Sequence, residues 1–320
     1  MISAPQRAVT DDEVEAFHRD GAVLVKGVLA PEWVELAAQG LDAAIAEPDA
    51  MSADLGPLRV DQFPAARCSP LRRLIDESPV AEIVGTTLRS PVRFYMDQLF
   101  YKPAGLVPPT DWHQDTCYYN VDGTDLIRAW VSPDPVPRHL SLEVVRGSHR
   151  WNATYSPLAG RDPDRDDDAR RLLEQADPDR PMLGPDAHDG WTYWSGVKDP
   201  SLPPVPDIEA HRDSFDILGW EYEPGDVLLF HGHILHSALG GVESAGPRRA
   251  HASLWAGADV VYRHRPGQVI PDPVDLYQHR PRTGQPLVDF PDVFPVQWAP
   301  TGHDPSVPIA QRSERRNNSR

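Results

Sequence analysis

The run "DWHQDTCYY", residues 111–119, sets a histidine and a carboxylate two positions apart among aromatic side chains. If the segment is extended, the period of two sends His113 and Asp115 to one face, where they could share a metal ion or act as base and partner. A turn with scattered polar residues is the competing reading. A further imidazole source is "GDVLLFHGHILHSA", residues 225–238. Read as one strand, Leu228, Phe230, Gly232, Ile234 and His236 share the more apolar face, and Val227, Leu229, His231 and His233 share the other. Zinc sites often use clustered histidines, but an unbroken strand cannot gather His231, His233 and His236 at one point. His236 is therefore the candidate ligand, with His231 and His233 supporting it or lying at the surface.

Two more segments carry polar groups on otherwise apolar faces. In "RRAHASLWAG", Arg248, Ala250, Ala252 and Leu254 share a face, while Arg249, His251, Ser253 and Trp255 share the opposite one. An arginine heading an apolar stripe needs an anion, and a carboxylate fits its planar fork, whether from a ligand or from a buried Asp or Glu. In "VRFYMDQLFYK", Gln98 lies on the face of Val92, Phe94, Met96 and Phe100. One uncharged polar group in such a wall suits ligand orientation or a structural hydrogen bond. Two histidines and a carboxylate with open positions form the facial triad of non-haem iron(II) oxygenases. An inward Arg248, about a dozen residues after the second histidine, could hold the distal carboxylate of a 2-oxo acid.

The elements that must position these residues are legible in part. Thr10 caps an expected helix over "DDEVEAFHRDG", with acids in its first turn and Gly21 as its stop. "AVLVKGVL" reads as a strand, and "APEWVELAAQGLDAAIAE" as an amphipathic helix with Pro31 near its first turn. "LRRLIDESPVAEIVGTTL" gives one or two short helices. From about residue 91 the texture changes to short alternating runs broken by Pro, Gly and Asp, the pattern of a sandwich or barrel. The 35 prolines favour strands and loops over a helical bundle. Residues 157–215 form a polar insertion, either solvated or a lid over a site. The tail from 301 to 320 is basic and reads as disordered. No internal repeat or linker divides the rest, so residues 1–300 read as one domain.

Composition narrows the partners. A formal net charge of −17 argues against nucleic acid and against anionic membranes. No run of eighteen apolar residues spans a membrane, and the first residues lack the apolar core of a signal peptide. Two cysteines, Cys68 and Cys117, form no disulfide framework and suit a reducing, cytoplasmic setting.

The sequence resembles the phytanoyl-CoA dioxygenase family of iron(II)- and 2-oxoglutarate-dependent oxygenases. The resemblance runs from "FHRDGAVLVKGVLAPEWV" through "DQLFYKPAG", "WHQDTCYY", "LIRAWVSPD", "LEVVRGSHRW" and "PGDVLLFHGHILHSA" to "PRRAHASLWAGADVVYRHRPG". It implies a mainly β fold, a double-stranded β-helix of jelly-roll or cupin-like form with flanking helices. It implies iron on His113, Asp115 and His236, the 2-oxoglutarate carboxylate on Arg248, and Gln98 and Trp130 lining the co-substrate pocket, with dioxygen as the second co-substrate. Tyr118, Tyr119, Trp151 and Trp255 are further pocket or packing aromatics, and His149 in "RGSHRW" reads as structural.

Within that family, the expected reaction is hydroxylation of a small metabolite or natural-product intermediate. Desaturation, epimerisation and cyclisation are the alternatives inside the family. A non-catalytic metal protein or a zinc or manganese cupin-type isomerase is the alternative outside it. Halogenation requires a small residue in place of the carboxylate ligand, and Asp115 argues against it. Acyl-CoA substrates are disfavoured because their phosphates want a basic cleft. Ala238 stands where relatives often carry a hydroxyl, so a second co-substrate contact is either lost or supplied elsewhere.

Overall fold

The structure, a computed structural model, describes residues 3–48, 52–55, 58–107, 109–156, 202–240, 242–264 and 281–301. Residues 157–201 of the expected insertion, and the tail from 302 onward, lie outside the described residues. The N-terminal helix α1 (Asp11–Asp20) begins with a capping box. Thr10 Oγ1 accepts from the Glu13 amide at 3.2 Å, and Glu13 Oε2 accepts from the Thr10 amide at 2.8 Å. Gly21, at φ 85°, ends it by donating to Phe17 O at 2.7 Å. Helix α2 (Pro31–Ala46) starts on its proline, and the next helical segment divides at Ser78–Pro79 into α3 (Ser69–Asp76) and α4 (Val80–Leu88). No helix among the described residues is long and apolar enough to cross a membrane.

The strands in chain order are β1 (Ala22–Val25), β2 (Ser52–Leu55), β3 (Leu58–Gln62), β4 (Val92–Lys102), β5 (Gly105–Val107), β6 (Thr110–His113), β7 (Val121–Asp122) and β8 (Leu126–Val131). They continue with β9 (Leu142–Val145), β10 (Ile217–Gly219), β11 (Val227–His231), β12 (His236–Ala238), β13 (Val242–Ser244), β14 (Arg248–Ala256), β15 (Val261–Tyr262) and β16 (Val296–Trp298). A large sheet runs β1-β11-β8-β14-β4-β3-β2, with β16 also on β4, and a smaller one runs β10-β9-β12-β6. Every ladder between these strands is antiparallel. Two such sheets enclosing a core make the expected jelly-roll-like architecture.

Alternation sorts the large sheet into two faces. Ile127, Ala129, Val131, Val227 and Leu229 pack beneath the helices with Leu41, Leu71 and Ile83. Leu228 and Phe230 face the other way and meet Leu142, Val144 and Ala238 of the small sheet. Strand β4 departs from the expected single face. Its ladder with β14 pairs Met96 with Leu254 but Phe94 with Trp255, so a bulge sits at Tyr95. Val92 and Phe94 consequently turn to the helix layer, where Phe94 meets Trp255 edge-on at 5.7 Å, while Met96, Gln98 and Phe100 keep to the inner side.

The helix layer packs on the face of the large sheet away from the cavity, and within it α2 and α3 approach closely at Gly40. A Cβ placed on Gly40 would stand 2.7 Å from the fully buried Leu71 side chain. Leu71→Ala is expected to cost roughly 2–5 kcal/mol, because the cavity it leaves cannot refill. Urea denaturation followed by circular dichroism measures it, and a loss below about 0.5 kcal/mol would mean that this layer is loosely packed.

Candidate active site

Strand β6 ends at His113, and the chain turns at once. Asp115 has helical backbone angles, φ −71° and ψ −37°, and leads a single 3-10 turn over Thr116–Tyr118. Strand alternation therefore does not bring His113 and Asp115 together; a turn does. The turn is held by the Thr116 amide donating to Gly232 O at 3.1 Å. Gln114 ties it down further, donating to Ala153 O at 3.0 Å and His233 O at 2.8 Å and accepting from the Tyr155 amide at 3.0 Å.

The second histidine arrives by a different route from the one expected. Residues 225–238 are not one strand. Strand β11 ends at His231 in the large sheet, residues 232–235 cross over, and His236 opens β12 in the small sheet. His236 there pairs directly across the ladder with His113, ring centroids 4.2 Å apart. His231 and His233 are excluded because neighbouring hydrogen-bond partners occupy their nitrogens, not because of parity. His231 Nε2 lies 2.7 Å from Thr124 O while its Nδ1 accepts from the His233 amide at 3.0 Å. His233 meets Thr116 Oγ1 at 3.1 Å and Gly123 O at 3.2 Å. Neither is a surface residue. His149 packs 5.0 Å from His231 and faces His18 O at 3.3 Å, a structural position.

His113, Asp115 and His236 offer one ligand atom each, all within 4.8 Å of one another. Both histidines place Nδ1 on the carbonyl two residues back, His113 on Asp111 O at 2.8 Å and His236 on Ile234 O at 3.1 Å. Those bonds put the proton on Nδ1 and leave each Nε2 a lone pair. The two Nε2 atoms stand 3.8 and 3.6 Å from Asp115 Oδ1, too far for hydrogen bonds and close enough to share an ion. Burial, with the neighbouring His113, pushes His236 down to about 4, so it is neutral near pH 7. Burial works to raise Asp115, yet Arg128, then His236 and His113, hold it below the usual carboxylate range. Two imidazole Nε2 atoms turned toward one ionised carboxylate fit an iron(II) centre with open positions. A closed structural zinc site would want four protein ligands, and this cluster holds three.

The three side chains line a cavity of about 330 Å³ between the sheets, together with Gln98, Trp130 and Arg248. Trp130 and Gln98 flank Ala252 in register, and Trp130 leans on Phe100 with centroids 5.0 Å apart. Arg248 Nε and Nη1 are buried and without a hydrogen-bond partner, and desolvation lowers the pKa of its guanidinium. Arg249 also reaches the cavity wall but is committed elsewhere, to Asp134 at 2.7 Å and Asp42 at 2.5 Å. Of the other aromatics, Tyr118 and Tyr119 line the cavity, Trp255 belongs to the helix-side core, and Trp151 is exposed.

Three residues escaped the sequence reading. Arg128, on the inner parity of β8 beside Trp130, is buried with its Nε 3.2 Å from Asp115 Oδ2. Its signal was an arginine inside the apolar run "LIRAWV". Lys102 pairs in register with Arg248 and lines the same cavity, and burial, then the charge of Arg248, lowers it to about 8. The buried Tyr222 phenol is pushed up to about 12 by desolvation, and its hydroxyl lies beside Arg248 and Trp130. Nothing in the sequence marked Tyr222, because its strand neighbours are distant in the chain.

The family model for phytanoyl-CoA dioxygenase matches residues 17–250, most of the chain and all six candidate site residues. The chain belongs to the phytanoyl-CoA dioxygenase family. It is thus a non-haem iron- and 2-oxoglutarate-dependent enzyme. No curated protein sequence matches it significantly. Among solved structures, the family fold recurs in the epimerase SnoN of nogalamycin biosynthesis at 19% identity and a TM-score of 0.59, over 92% of this chain and 98% of that one. It recurs in the carbocyclase SnoK of the same biosynthesis at 18% identity and a TM-score of 0.61, over 90% and 96%. EctD from S. alaskensis matches at 17% identity and a TM-score of 0.58, over 84% and 85%. At such identities the likeness is one of fold.

The crossover that delivers His236 has a pH signature. Burial first, then His233 and His149, push His231 down to about 3 from its ordinary 6.5. Between those values the unfolded chain holds a proton that the folded protein does not. Stability is therefore present above about pH 6.5 and lost as the pH falls toward 3, at up to about 1.4 kcal/mol per pH unit. His231→Gln, which keeps a donor and an acceptor, is expected to flatten the slope by about one proton in urea denaturation between pH 7 and 4. An unchanged slope would mean that His231 is not held neutral.

Proposed function

We propose that this protein is an oxygenase that hydroxylates a small metabolite or natural-product intermediate. Its iron(II) is held by His113, Asp115 and His236, and its 2-oxoglutarate by Arg248. One observation carries the reading: two free imidazole lone pairs and an unpartnered arginine fork open on the same enclosed space. A buried guanidinium with vacant N–H groups is costly unless an anion meets it, and the distal carboxylate of 2-oxoglutarate is such an anion. Trp130 and Gln98 shape that end of the cavity. Ala238 has no oxygen to offer the co-substrate, and the Tyr222 hydroxyl beside Arg248 steadies the guanidinium instead.

When bound, iron and 2-oxoglutarate supply the oxidising chemistry, the co-substrate leaving as succinate and carbon dioxide. This chain's residues do the rest. The backbone carbonyls of Asp111 and Ile234 keep both Nε2 atoms available, Arg248 sets the direction of the co-substrate, and the apolar walls of Phe100, Trp130, Phe230 and Leu142 exclude water. Asp115 occupies the position that halide would need, which speaks against halogenation. The named neighbours include an epimerase and a carbocyclase on the same fold, so the fold does not select the reaction.

The test is incubation with iron(II), ascorbate, 2-oxoglutarate and a panel of small metabolites, read by mass spectrometry. Hydroxylation gives succinate with one oxygen gained by the substrate. Loss of two hydrogens would indicate desaturation or ring closure, unchanged mass with inverted chirality would indicate epimerisation, and no succinate with any metabolite would sink the oxygenase reading. His113→Ala and His236→Ala are expected to abolish succinate formation with the far-ultraviolet circular dichroism unchanged.

Arg248→Ala is expected to weaken 2-oxoglutarate binding by about 1.5 to 3.5 powers of ten, from a loss of roughly 2–5 kcal/mol when one partner of a buried charge pair is removed. Arg248→Lys should recover part of that, since an ammonium lacks the planar fork. Arg249→Ala should leave the affinity nearly unchanged, because that arginine is spent on Asp134 and Asp42. Titration of the anaerobic iron complex, followed through its visible charge-transfer band, measures all three. Equal losses at both arginines would overturn the assignment.

A further inference from the structure

We propose that Arg128 is a positioning residue of the metal centre, holding one oxygen of Asp115 so that this carboxylate offers only the other to the ion. The proposal rests on the iron and 2-oxoglutarate reading above and adds to it the residue that keeps the last position on the ion open.

Packing does not explain Arg128. Its cross-strand neighbours are Phe230 on β11 and Leu254 on β14, and an aliphatic side chain would satisfy both. A guanidinium taken out of water there costs several kcal/mol unless good partners surround it. Its partners are a carboxylate, an amide oxygen and an aromatic face. Nη2 donates to Gln98 Oε1, and the guanidinium carbon stands 5.7 Å from the centroid of the Tyr119 ring. The Tyr119 hydroxyl donates to the same Gln98 oxygen at 3.1 Å, which locks the amide. Gln98 and Tyr119 thus brace the guanidinium, and its Nε faces Asp115 Oδ2 at 3.2 Å. Gln98, expected as a co-substrate contact, has its oxygen committed to this brace.

The consequence is a division of labour between the two oxygens of Asp115. Oδ1 faces both imidazole Nε2 atoms, at 3.8 and 3.6 Å, while Oδ2 faces Arg128. An iron ion held by His113, Asp115 and His236 would have three further positions, of which the 2-oxo acid would take two and leave one for dioxygen. Were Asp115 to close on the ion with both oxygens, that position would be lost. Charge alone predicts something different: removing a cation next to a metal site should tighten metal binding. The two roles therefore separate in an experiment.

The probe is nitric oxide, a dioxygen stand-in, titrated into the anaerobic protein at saturating iron(II) and 2-oxoglutarate and read by the high-spin iron–nitrosyl signal in electron paramagnetic resonance. Iron affinity is measured alongside. Arg128→Met is expected to bind iron at least as well as the natural protein, yet to lose nitric-oxide affinity by roughly ten- to hundred-fold, the range typical of lost ligand-orienting contacts. Arg128→Lys keeps the charge without the fork and should fall between. Gln98→Leu leaves Arg128 in place but removes its brace, and should also fall between. If Arg128→Met does not fold, the other two variants carry the test. Nitric-oxide affinity equal to the natural protein in both would overturn the proposal, as would a loss that merely tracks the melting temperature. Failure of the natural protein to bind iron or 2-oxoglutarate would instead overturn the function proposed above.

Discussion

Two imidazoles can share one cation only if each keeps a bare nitrogen aimed at it. Here the backbone enforces this twice by one device, each histidine giving its Nδ1 proton to the carbonyl two residues back, Asp111 for His113 and Ile234 for His236. The device needs a sharp local bend ahead of or around each histidine, and much of the surrounding structure supplies those bends. The Gln114 amide knits the first to residues 153–155 and to His233, and the buried His231 imidazole supports the second by accepting the His233 amide. The ladder between β6 and β12 then sets the two rings side by side. Disturbing any of these changes the tautomer or direction of a ligand without touching the ligand itself.

A cavity that must take a doubly charged co-substrate and a metal ion cannot be lined as an ordinary core. Its inner wall carries Lys102, Arg128 and Arg248 in a protein whose net charge is −17. Each cation is desolvated at a cost, visible in the lowered pKa values of Lys102 and Arg248. Arg128 is the exception. There burial works to lower the guanidinium, yet Asp115, Tyr119 and Asp97 together hold it above its ordinary value. Such a wall stays in place because the other face of the large sheet is conventional. Helices α1 to α4 bury Leu41, Leu71, Ile83 and Trp255 against it, so stability and chemistry are carried by opposite faces of the same strands.

The family fold is shared by proteins named for epimerisation and for ring formation, which locates reaction choice in the cavity lining rather than in the sheets. In this chain that lining includes Leu58, Pro109, Val136 and Leu142, each at a strand end or in a connection. The metal and co-substrate residues themselves stand where strands begin or end, His113 closing β6, His236 opening β12 and Arg248 opening β14, with Asp115 in the turn after β6.

By itself the sequence determined the element types and the chemistry. The capping box at Thr10, the Gly21 stop and the apolar periodicities are local interactions, so they were legible residue by residue. The set of His113, Asp115, His236 and Arg248 was legible because its spacing followed a known family, and simple alternation put Arg248 on the inner face. Tertiary structure decided the rest. Alternation holds only while a strand stays in one sheet without bulges. Tyr95 interrupts it in β4, the crossover at 232–235 interrupts it before His236, and the turn at Asp115 interrupts it after His113. The partners of Arg128, Tyr119, Asp115 and Gln98, lie 9, 13 and 30 positions away along the chain, in and after the turn that follows β6 and on β4. Contacts at that separation leave no local pattern, so only the folded chain could bring the arginine to the carboxylate.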